Sequence, residues 1–241
     1  MPDRASIIIS PLLAVLAALV SLAGAGCERS AGAAHYFPLE PGHHWQYRIE
    51  RTTMDGHREL RHVVQTGKVP PGAAFDAMRI TAGGLRYLYE VDDAGIFRLD
   101  LRPALPVRGE PQRTLVLPHQ LDETSSWQTQ SHTAVLENSG PPWETLFRIT
   151  APVAMQYQVE QTDAAIDTPA GRFEGCLVIR GVGSASVDAG NYIGRTRIEI
   201  ASREWFAPGV GLVRMERDET TGAAALSGGR LLVELDRWWH R

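Results

Sequence analysis

Two groups of closely spaced carboxylates are the residues of this chain best suited to chemistry. Glu90, Asp92 and Asp93 form one group, and Asp218 and Glu219 form the other. Carboxyl groups that converge on one pocket can act as general acid and general base in a hydrolysis. Carboxylates near turns more commonly accept hydrogen bonds from turn amides and stay in water. We expect both groups to be solvated turn residues, and an envelope hydrolase that uses such carboxylates is the alternative function.

The histidine and serine patterns offer less chemistry than the carboxylates. His43 and His44 are adjacent, and neighbours on a strand point to opposite faces, so they cannot share a metal ion. The segment 183–186, Gly-Ser-Ala-Ser, comes nearest to the Gly-x-Ser-x-Gly of a serine hydrolase but misses its pattern, and we expect a loop over 184–194. Neither a Walker motif nor a dinucleotide glycine motif occurs in the sequence. We therefore predict no catalytic residue, no metal site and no cofactor, and we expect that the protein is not an enzyme.

Charge and cysteine content exclude further classes of function. The net charge of −4 argues against nucleic acid as a partner, because phosphate binding requires a basic face. Cys27 and Cys176 are the two cysteines, too few for a disulfide framework. Leu177 and Val178 follow Cys176, so we expect its thiol to be a small buried hydrophobe rather than a reactive group.

The first 26 residues have the order of a secretory signal peptide. Arg4 is followed by an apolar run over 7–22 and then by small residues up to Cys27. The run is shorter than the roughly 20 apolar residues that span a bilayer. Two outcomes are open: cleavage that leaves a lipidated Cys27 as the first residue, and ordinary cleavage after Ala23-Gly24-Ala25 that leaves Cys27 as a plain thiol.

The segment Leu22-Ala23-Gly24-Ala25-Gly26-Cys27 resembles a bacterial lipoprotein signal, although Gly24 stands where leucine is usual. The resemblance implies that Cys27 carries acyl chains and anchors the protein to a membrane. Glu28 follows the cysteine in place of the aspartate that is associated with inner-membrane retention. We therefore expect an exported protein of the cell envelope at the periplasmic face of the outer membrane.

Beyond the signal peptide, the sequence predicts a flexible tether over 27–35 and a single β domain over 36–241. Short segments with alternating apolar and polar residues recur about every ten residues, and none keeps a helical period. Gly83-Gly84 fits a two-residue hairpin turn. The proline-rich loop at 102–112 is the best candidate for a domain boundary. This pattern indicates an all-β sandwich or barrel.

Two proline-glycine turns organise the second half of the domain. Thr168-Pro169-Ala170-Gly171 leads into a strand through Cys176 that is apolar on both faces, and Pro208-Gly209 joins two further strands. We expect Gly171 and Gly209 to serve backbone geometry, with a positive φ at Gly209. A strand that is apolar on both faces must be covered on both.

Three pieces together resemble an uncharacterised group of exported bacterial lipoproteins. They are the segment 36–42 with Trp45 and Tyr47, the segment 168–173 with Cys176, and the segment 206–211. The resemblance implies a large, curved, mostly antiparallel sheet that forms a half-barrel or partly closed barrel, similar to the open half-barrels of lipoprotein-carrier proteins. It implies no catalytic residues.

The combined interpretation is a non-enzymatic envelope lipoprotein that binds an apolar ligand or an envelope protein on a curved β surface. Tyr87, Tyr89, Met155 and Tyr157 are the expected liners of the concave side. Trp45 and Tyr47 could extend an aromatic face, but such residues are more commonly cross-strand core pairs. A completely filled interior is the other structural outcome, because small barrels are packed by their own side chains.

Overall fold

The computed structural model describes residues 32–53, 56–100, 112–135, 137–140, 145–148, 150–188, 194–223 and 226–241. Residues Ala31–Arg241 form one compact unit. The described part begins with a single helical turn, α1 (Ala33–Tyr36). The strands are β1 (His43–Thr53), β2 (Gly56–Gly67), β3 (Ala77–Thr81), β4 (Arg86–Asp92), β5 (Gly95–Asp100), β6 (Gln112–Pro118), β7 (Ser126–His132), β8 (Glu137–Gly140), β9 (Thr145–Arg148), β10 (Pro152–Thr168), β11 (Gly171–Asp188), β12 (Arg195–Ala207), β13 (Gly211–Thr221), β14 (Leu226–Ser227) and β15 (Gly229–His240).

Twelve strands form one antiparallel sheet that nearly closes into a barrel. Their order is β6-β5-β4-β3-β2-β1-β15-β13-β12-β11-β10-β7, and β14, β8 and β9 form a small second sheet. The two edge strands, β6 and β7, approach each other, but the described residues show no hydrogen-bonded ladder between them. The predicted all-β, partly closed sheet is confirmed.

One face of the large sheet points into the barrel and forms most of its core. Side chains on that face include Tyr47, Tyr89, Val159, Ile179 and Phe206, and all of them are buried. Register fixes this common face, because paired residues of adjacent strands point the same way.

The second apolar face of β11, with Cys176 and Val178, is buried in a second core that also contains Tyr47, Val233 and Leu235. The β10–β11 hairpin bends at register shifts between Val159 and Ile166. Its tip reaches β15, where the Ala170 amide donates to the Leu235 carbonyl at 3.0 Å. Cys176 and other buried residues are enclosed there. The bend thus brings the second face of β11 against inward side chains of β1 and β15, since β-bulges let a strand curl over its own sheet.

The two predicted proline-glycine turns are confirmed. Gly209 has φ +68° and Gly171 has φ +127°, and no atom lies within 4 Å of a Cβ built at either position. The Val210 amide donates to the Ala207 carbonyl at 3.1 Å, which closes the turn through Pro208. Gly84, with φ +83°, lies in the turn between β3 and β4. The Thr81 amide donates to the Leu85 carbonyl at 2.9 Å, so this loop has three residues, 82–84, and the expected two-residue turn at Gly83-Gly84 is wrong in length. These glycines serve backbone geometry, as expected.

Two local expectations differ from the structure. The segment 184–188, expected to be a loop, continues β11 and pairs with β12. The reason is the Met155 side chain, whose sulfur occupies the space that a Cβ at Gly183 would need, so the glycine belongs to a packed strand. The possible boundary at 102–112 lies almost wholly outside the described residues, apart from Gln112 at the start of β6.

The ordered fold also begins earlier than residue 36. Residues 33–39, here called the N-terminal strap, pack against the barrel interior, and Ala33 is buried. The Ala33 amide donates to the His119 carbonyl at 3.3 Å, and the His35 carbonyl accepts from the Gly209 amide at 2.7 Å. Because these contacts fix the strap, a flexible tether ends before Ala33. Residues 27–31, including Cys27, lie outside the described residues.

Candidate functional site

A cavity of about 450 Å³ lies inside the barrel beside the gap between β6 and β7. Its volume is within the usual range of small-molecule sites. Aliphatic and aromatic side chains make one part of the wall, and polar side chains of β7, β10 and β12 make another. The described lining residues are Arg98, Thr114, Leu115, Val116, Leu117, Trp127, Thr129, Gln130, Ser131, His132, Thr133, Ala134, Tyr157, Ile179, Glu204 and Phe206.

A glycine on β11 brings the polar groups of the cavity together. Register aligns Trp127, Tyr157, Gly181 and Ser202 across four neighbouring strands. A Cβ at Gly181 would lie 2.6 Å from Cε1 of Tyr157 and 2.5 Å from Oγ of Ser202. The Tyr157 ring therefore crosses the bare backbone of β11 and reaches Glu204 on β12, although β10 and β12 are not neighbours.

Glu204 is the described carboxylate of this cavity, and its protonation state is unusual. Burial raises the pKa of Glu204 to about 7, against the opposing effects of the Arg217 charge and the hydrogen bond with Tyr157. Burial also raises the pKa of the Tyr157 phenol, and Glu204 adds to that rise. Near neutral pH the Glu204 carboxyl can therefore exist as a neutral acid that donates a hydrogen bond.

Two further donors in the cavity wall have no partner. Nε1 of Trp127 and Oγ1 of Thr129 are buried and make no hydrogen bond. Trp127 itself is 8% exposed and stacks on Tyr157 at 5.7 Å between ring centroids. Buried donors without acceptors are uncommon and costly, so an acceptor from a ligand or a water molecule would stabilise this part of the wall.

A buried ion pair fixes the segment that closes one side of the cavity. Nε of Arg217 donates to Oε1 of Glu219 at 2.8 Å, and Nη2 of Arg217 donates to the His132 carbonyl at 2.6 Å. The Glu219 carboxylate also accepts from the amides of Ala134 and Val135, at 2.8 and 3.0 Å. Glu219 is 1% exposed. The expectation that Glu219 is a solvated turn residue is therefore wrong, because three hydrogen bonds compensate for its burial.

The other predicted carboxylates are at the surface. Asp218 is exposed. Oδ1 of Asp92 accepts from the amides of Ala94 and Gly95, at 2.9 and 3.2 Å, and these bonds cap the turn before β5. Arg113 pairs with Asp92 at 2.6 Å and with Glu90 at 2.7 Å. The hydrogen bond from Arg113, together with the two turn amides, holds the pKa of Asp92 below its usual range. Asp93 is exposed as well. The turn interpretation is confirmed for this group.

Of the four expected liners of the concave side, Tyr157 lines the cavity. Met155 is fully buried in a neighbouring cluster, and Tyr89 packs edge-on against Phe37 of the strap. Tyr87 packs against the main interior cluster. These three are core residues. The part of the barrel interior that these three residues occupy is thus filled.

The aromatic and histidine side chains of β1 are structural. Nε1 of Trp45 donates to the Val210 carbonyl at 2.6 Å, and the Tyr47 hydroxyl donates to the Leu212 carbonyl at 3.0 Å. His43 stacks on Trp45, whereas His44 stacks on Trp239, so the two histidines point to opposite faces as predicted. Among the described residues, no three His, Cys, Asp or Glu side chains are arranged to hold a metal ion.

Cys176 has the environment that its neighbours in the sequence predicted. Its side chain is fully buried, and burial raises the pKa of its thiol to about 11. A thiolate is therefore scarce at neutral pH, and reactivity depends on the thiolate. Cys176 is a packing residue of the second core.

Sequence reasoning missed Glu204 and Trp127. Glu204 alternates with Ser202 and Phe206, so its position on the inner face could be inferred from the period of β12. What the sequence does not show is that Gly181 opens a path from Tyr157 to that carboxyl. In the sequence, Trp127 is the first apolar residue after the polar segment 122–126. That its indole has no hydrogen-bond partner is visible only in the structure.

A second concave region, of about 650 Å³, lies on the outer face of β10–β13. Its described lining is mostly exposed side chains, among them Gln128, Val182 and Glu199. It is a shallow surface groove, so the inner cavity is the better candidate for a ligand site.

Comparison with known proteins finds similar solved structures, all at low sequence identity. No family model and no curated protein matches this chain. A protein of Bacteroides fragilis described as exported, with a YmcC-like fold, is 13% identical, with 85% of this chain and 99% of that chain covered and a TM-score of 0.44. A protein of Parabacteroides distasonis described as a lipoprotein is 12% identical, with 85% and 98% covered and a TM-score of 0.40.

The hypothetical lipoprotein YmcC of Escherichia coli is also similar, at 8% identity over 96% of this chain and 98% of that chain, with a TM-score of 0.33. All three are described as exported or as lipoproteins, in agreement with the resemblance drawn from the turn motifs. At TM-scores below 0.5 these similarities transfer no residue roles to this chain.

Proposed function

We propose that this protein is a lipid-anchored protein of the cell envelope that binds a small amphipathic molecule inside its barrel, without catalysis. The observation that carries the proposal is the cavity beside the β6–β7 gap, where an apolar wall faces a few buried polar groups. Binding sites for small molecules commonly combine an apolar lining with a few placed polar groups.

The arrangement of the carboxylates favours binding over hydrolysis. A hydrolase that uses two carboxylates needs both of them at the reacting atoms. Glu204 is the carboxylate among the described lining residues, and Glu219 is occupied by Arg217 and by two backbone amides. The hydrolase alternative would require substrate turnover that depends on Glu204.

The anchor is proposed from the residues before Cys27. If Cys27 carries acyl chains, residues 28–32 span at most roughly 17 Å before the strap begins, so the barrel stays close to the membrane. Each buried CH₂ contributes about 0.8 kcal/mol, which makes several chains a firm anchor. Among the described residues, no helix is long and apolar enough to cross a bilayer.

The anchor is tested by the intact mass of protein extracted from membranes. We expect a chain that begins at Cys27 and carries the added mass of acyl groups. A chain with an unmodified Cys27 thiol would contradict the anchor and would leave the cavity proposal untouched.

Ligand binding is tested with an environment-sensitive apolar dye and protein from which co-purified lipid has been removed. We expect saturable binding and displacement of the dye by amphipathic competitors. Thr129→Phe places a ring in the cavity from its half-buried position on β7 and should weaken dye binding. Gln158→Phe, at an exposed position on β10, is the matched control.

Thermal unfolding should first show that both variants are folded, because overfilling a core can destabilise it. Equal dye affinity in the wild type and Thr129→Phe would place the dye elsewhere. If saturable binding is absent in the wild type, the binding function is wrong, and a scaffold for protein docking becomes the better proposal.

A further inference from the structure

The polar groups of this cavity define one chemical class of ligand, an inference that rests on the proposed binding function. We infer that Trp127, Thr129 and Glu204 form a head-group subsite that recognises a carbonyl, as found in a carboxylic acid or an ester, at the end of an apolar molecule.

The indole of Trp127 is the most specific part of this subsite. The side chain is 8% exposed, it lines the cavity, and its Nε1 has no hydrogen-bond partner. An indole N–H can only donate, so its partner must be an acceptor. A buried donor without an acceptor is unfavourable by an amount comparable to a whole hydrogen bond, and a ligand acceptor removes that cost.

Thr129, on the same strand, supplies a second buried donor without a partner. It lies two residues after Trp127, so both side chains point to the inner face of β7. Its Oγ1 is buried and also has no partner. Two neighbouring donors match the two lone pairs of one carbonyl oxygen, or the two oxygens of a carboxyl group.

The charges around the subsite disfavour a cationic head group. Arg98 lines the cavity from β5, and Arg217 lies close enough to act on the charge of Glu204 from β13. Glu204 in its neutral form adds a third donor, and burial favours that form up to about neutral pH. Donors and positive charges together select a carbonyl or carboxyl over an ammonium group.

The remaining wall suits an apolar body. Leu115, Leu117, Ile179 and Phe206 line the cavity, and Leu117 and Ile179 are each 1% exposed. Burial of a ligand's methylene groups against such side chains favours binding in proportion to the apolar area covered. The ligand class is therefore an amphipathic molecule with a carbonyl at one end.

The test compares four probes with the same chain and different heads: decanoic acid, methyl decanoate, decanol and decylamine. Each competes with the apolar dye on the purified protein at pH 6 to 7 (about the pKa of Glu204). We expect the acid and the ester to displace the dye at concentrations about tenfold lower than decanol and decylamine, since one hydrogen bond is worth roughly that factor. The acid and ester arms distinguish a free fatty acid from an esterified lipid as the source of the carbonyl.

Variants that remove one donor each test whether the subsite causes the preference for carbonyl heads. Trp127→Phe keeps the stacking on Tyr157 and removes the donor, so it should abolish most of the preference for carbonyl heads while the dye still binds. Trp238→Phe, at an exposed tryptophan of β15, is the matched control. Thr129→Val has nearly the same shape without the hydroxyl, and it tests the second donor if Trp127→Phe does not fold.

The outcomes separate the two proposals. Saturable dye binding with equal displacement by all four heads would overturn the carbonyl subsite and leave the binding function intact. A preference for carbonyl heads that survives both Trp127→Phe and Thr129→Val would also overturn the subsite. Loss of a saturable dye site in the wild type would overturn both proposals together.

Discussion

At the scale of single residues, Glu204 makes stability depend on pH. Its pKa is raised to about 7 in the fold, whereas an unfolded chain titrates a glutamate near its ordinary value. The neutral acid is therefore favoured in the folded state, and the stabilisation that Glu204 contributes is fully present below the unfolded pKa. It is lost as pH rises from about 4.5 through about 7, because the fold disfavours the charged form.

The substitution Glu204→Gln removes this titration and keeps the shape of the side chain. We expect the wild type to lose stability relative to Glu204→Gln between pH 5 and 8, by up to a few kcal/mol. Chemical denaturation at several pH values measures the difference. Glu123→Gln, at an exposed position in the loop before β7, should show none of it. If the free energy of unfolding depended on pH in the same way in the wild type and in Glu204→Gln, ionisation of Glu204 would not destabilise the fold.

At the scale of elements, the turn at Ala207–Val210 depends on its glycine. Gly209 has φ +68°, a conformation that is unfavourable for a β-branched residue. Gly209→Val should lower stability by about 1–3 kcal/mol, measured by thermal unfolding. Gly222→Val is the matched control, because Gly222 also has open space around a Cβ but no positive φ. Equal melting temperatures for the two variants would contradict the turn geometry.

The N-terminal strap depends on a buried arginine. The Arg79 guanidinium lies 3.7 Å from the Phe37 ring centroid and 4.5 Å from that of Trp45, and it donates to the Pro38 carbonyl at 3.0 Å. Burial lowers the pKa of Arg79, and none of the described carboxylates forms an ion pair with it. Cation–π contacts of a desolvated guanidinium can each contribute about 2 kcal/mol. The Arg79 charge is thus stabilised by the Phe37 ring and the Pro38 carbonyl of the strap and by the Trp45 ring of β1.

The substitution Arg79→Met should release the strap more than it unfolds the barrel. Methionine removes a desolvated charge, which favours the fold, but it leaves the Pro38 carbonyl without its donor. Limited proteolysis should therefore cut residues 33–39 earlier than in the wild type. Arg86→Met, at an exposed position on β4, is the control. An unchanged cleavage rate in Arg79→Met would show that other contacts hold the strap.

These elements show how much the sequence could predict. Proline and glycine fix local turns, so Gly84, Gly171 and Gly209 were predicted from their neighbours alone. The continuation of β11 through 184–188 was missed, because Gly183 resembles a loop residue until Met155 covers it. Glu204 was missed for the same reason, since its environment is made by residues distant in the sequence.

At the scale of the whole molecule, the apolar side chains of the large sheet are buried in two main cores. The inward side chains of the sheet form one core with the N-terminal strap, and the bent β10–β11 hairpin packs into a second core with β1, β13 and β15. The pattern of β11, apolar on both faces, predicted that some cover must exist. It could not say which segment supplies it, because bulges within β10 determine where the hairpin bends.

The unpaired edges of β6 and β7 make the barrel locally open beside its cavity. Edge strands leave backbone donors and acceptors without ladder partners, and such amides exchange with solvent more easily than those in the middle of a sheet. We expect hydrogen exchange to be faster over 112–118 and 126–132 than over 195–207, which pairs on both sides. A ligand in the cavity contacts both edges and should slow exchange there more than in β12. Exchange measured by mass spectrometry, with and without decanoic acid, gives both comparisons. Equal protection of the edges and β12 without ligand would mean that the barrel is closed in solution, and a ligand would then have to enter elsewhere.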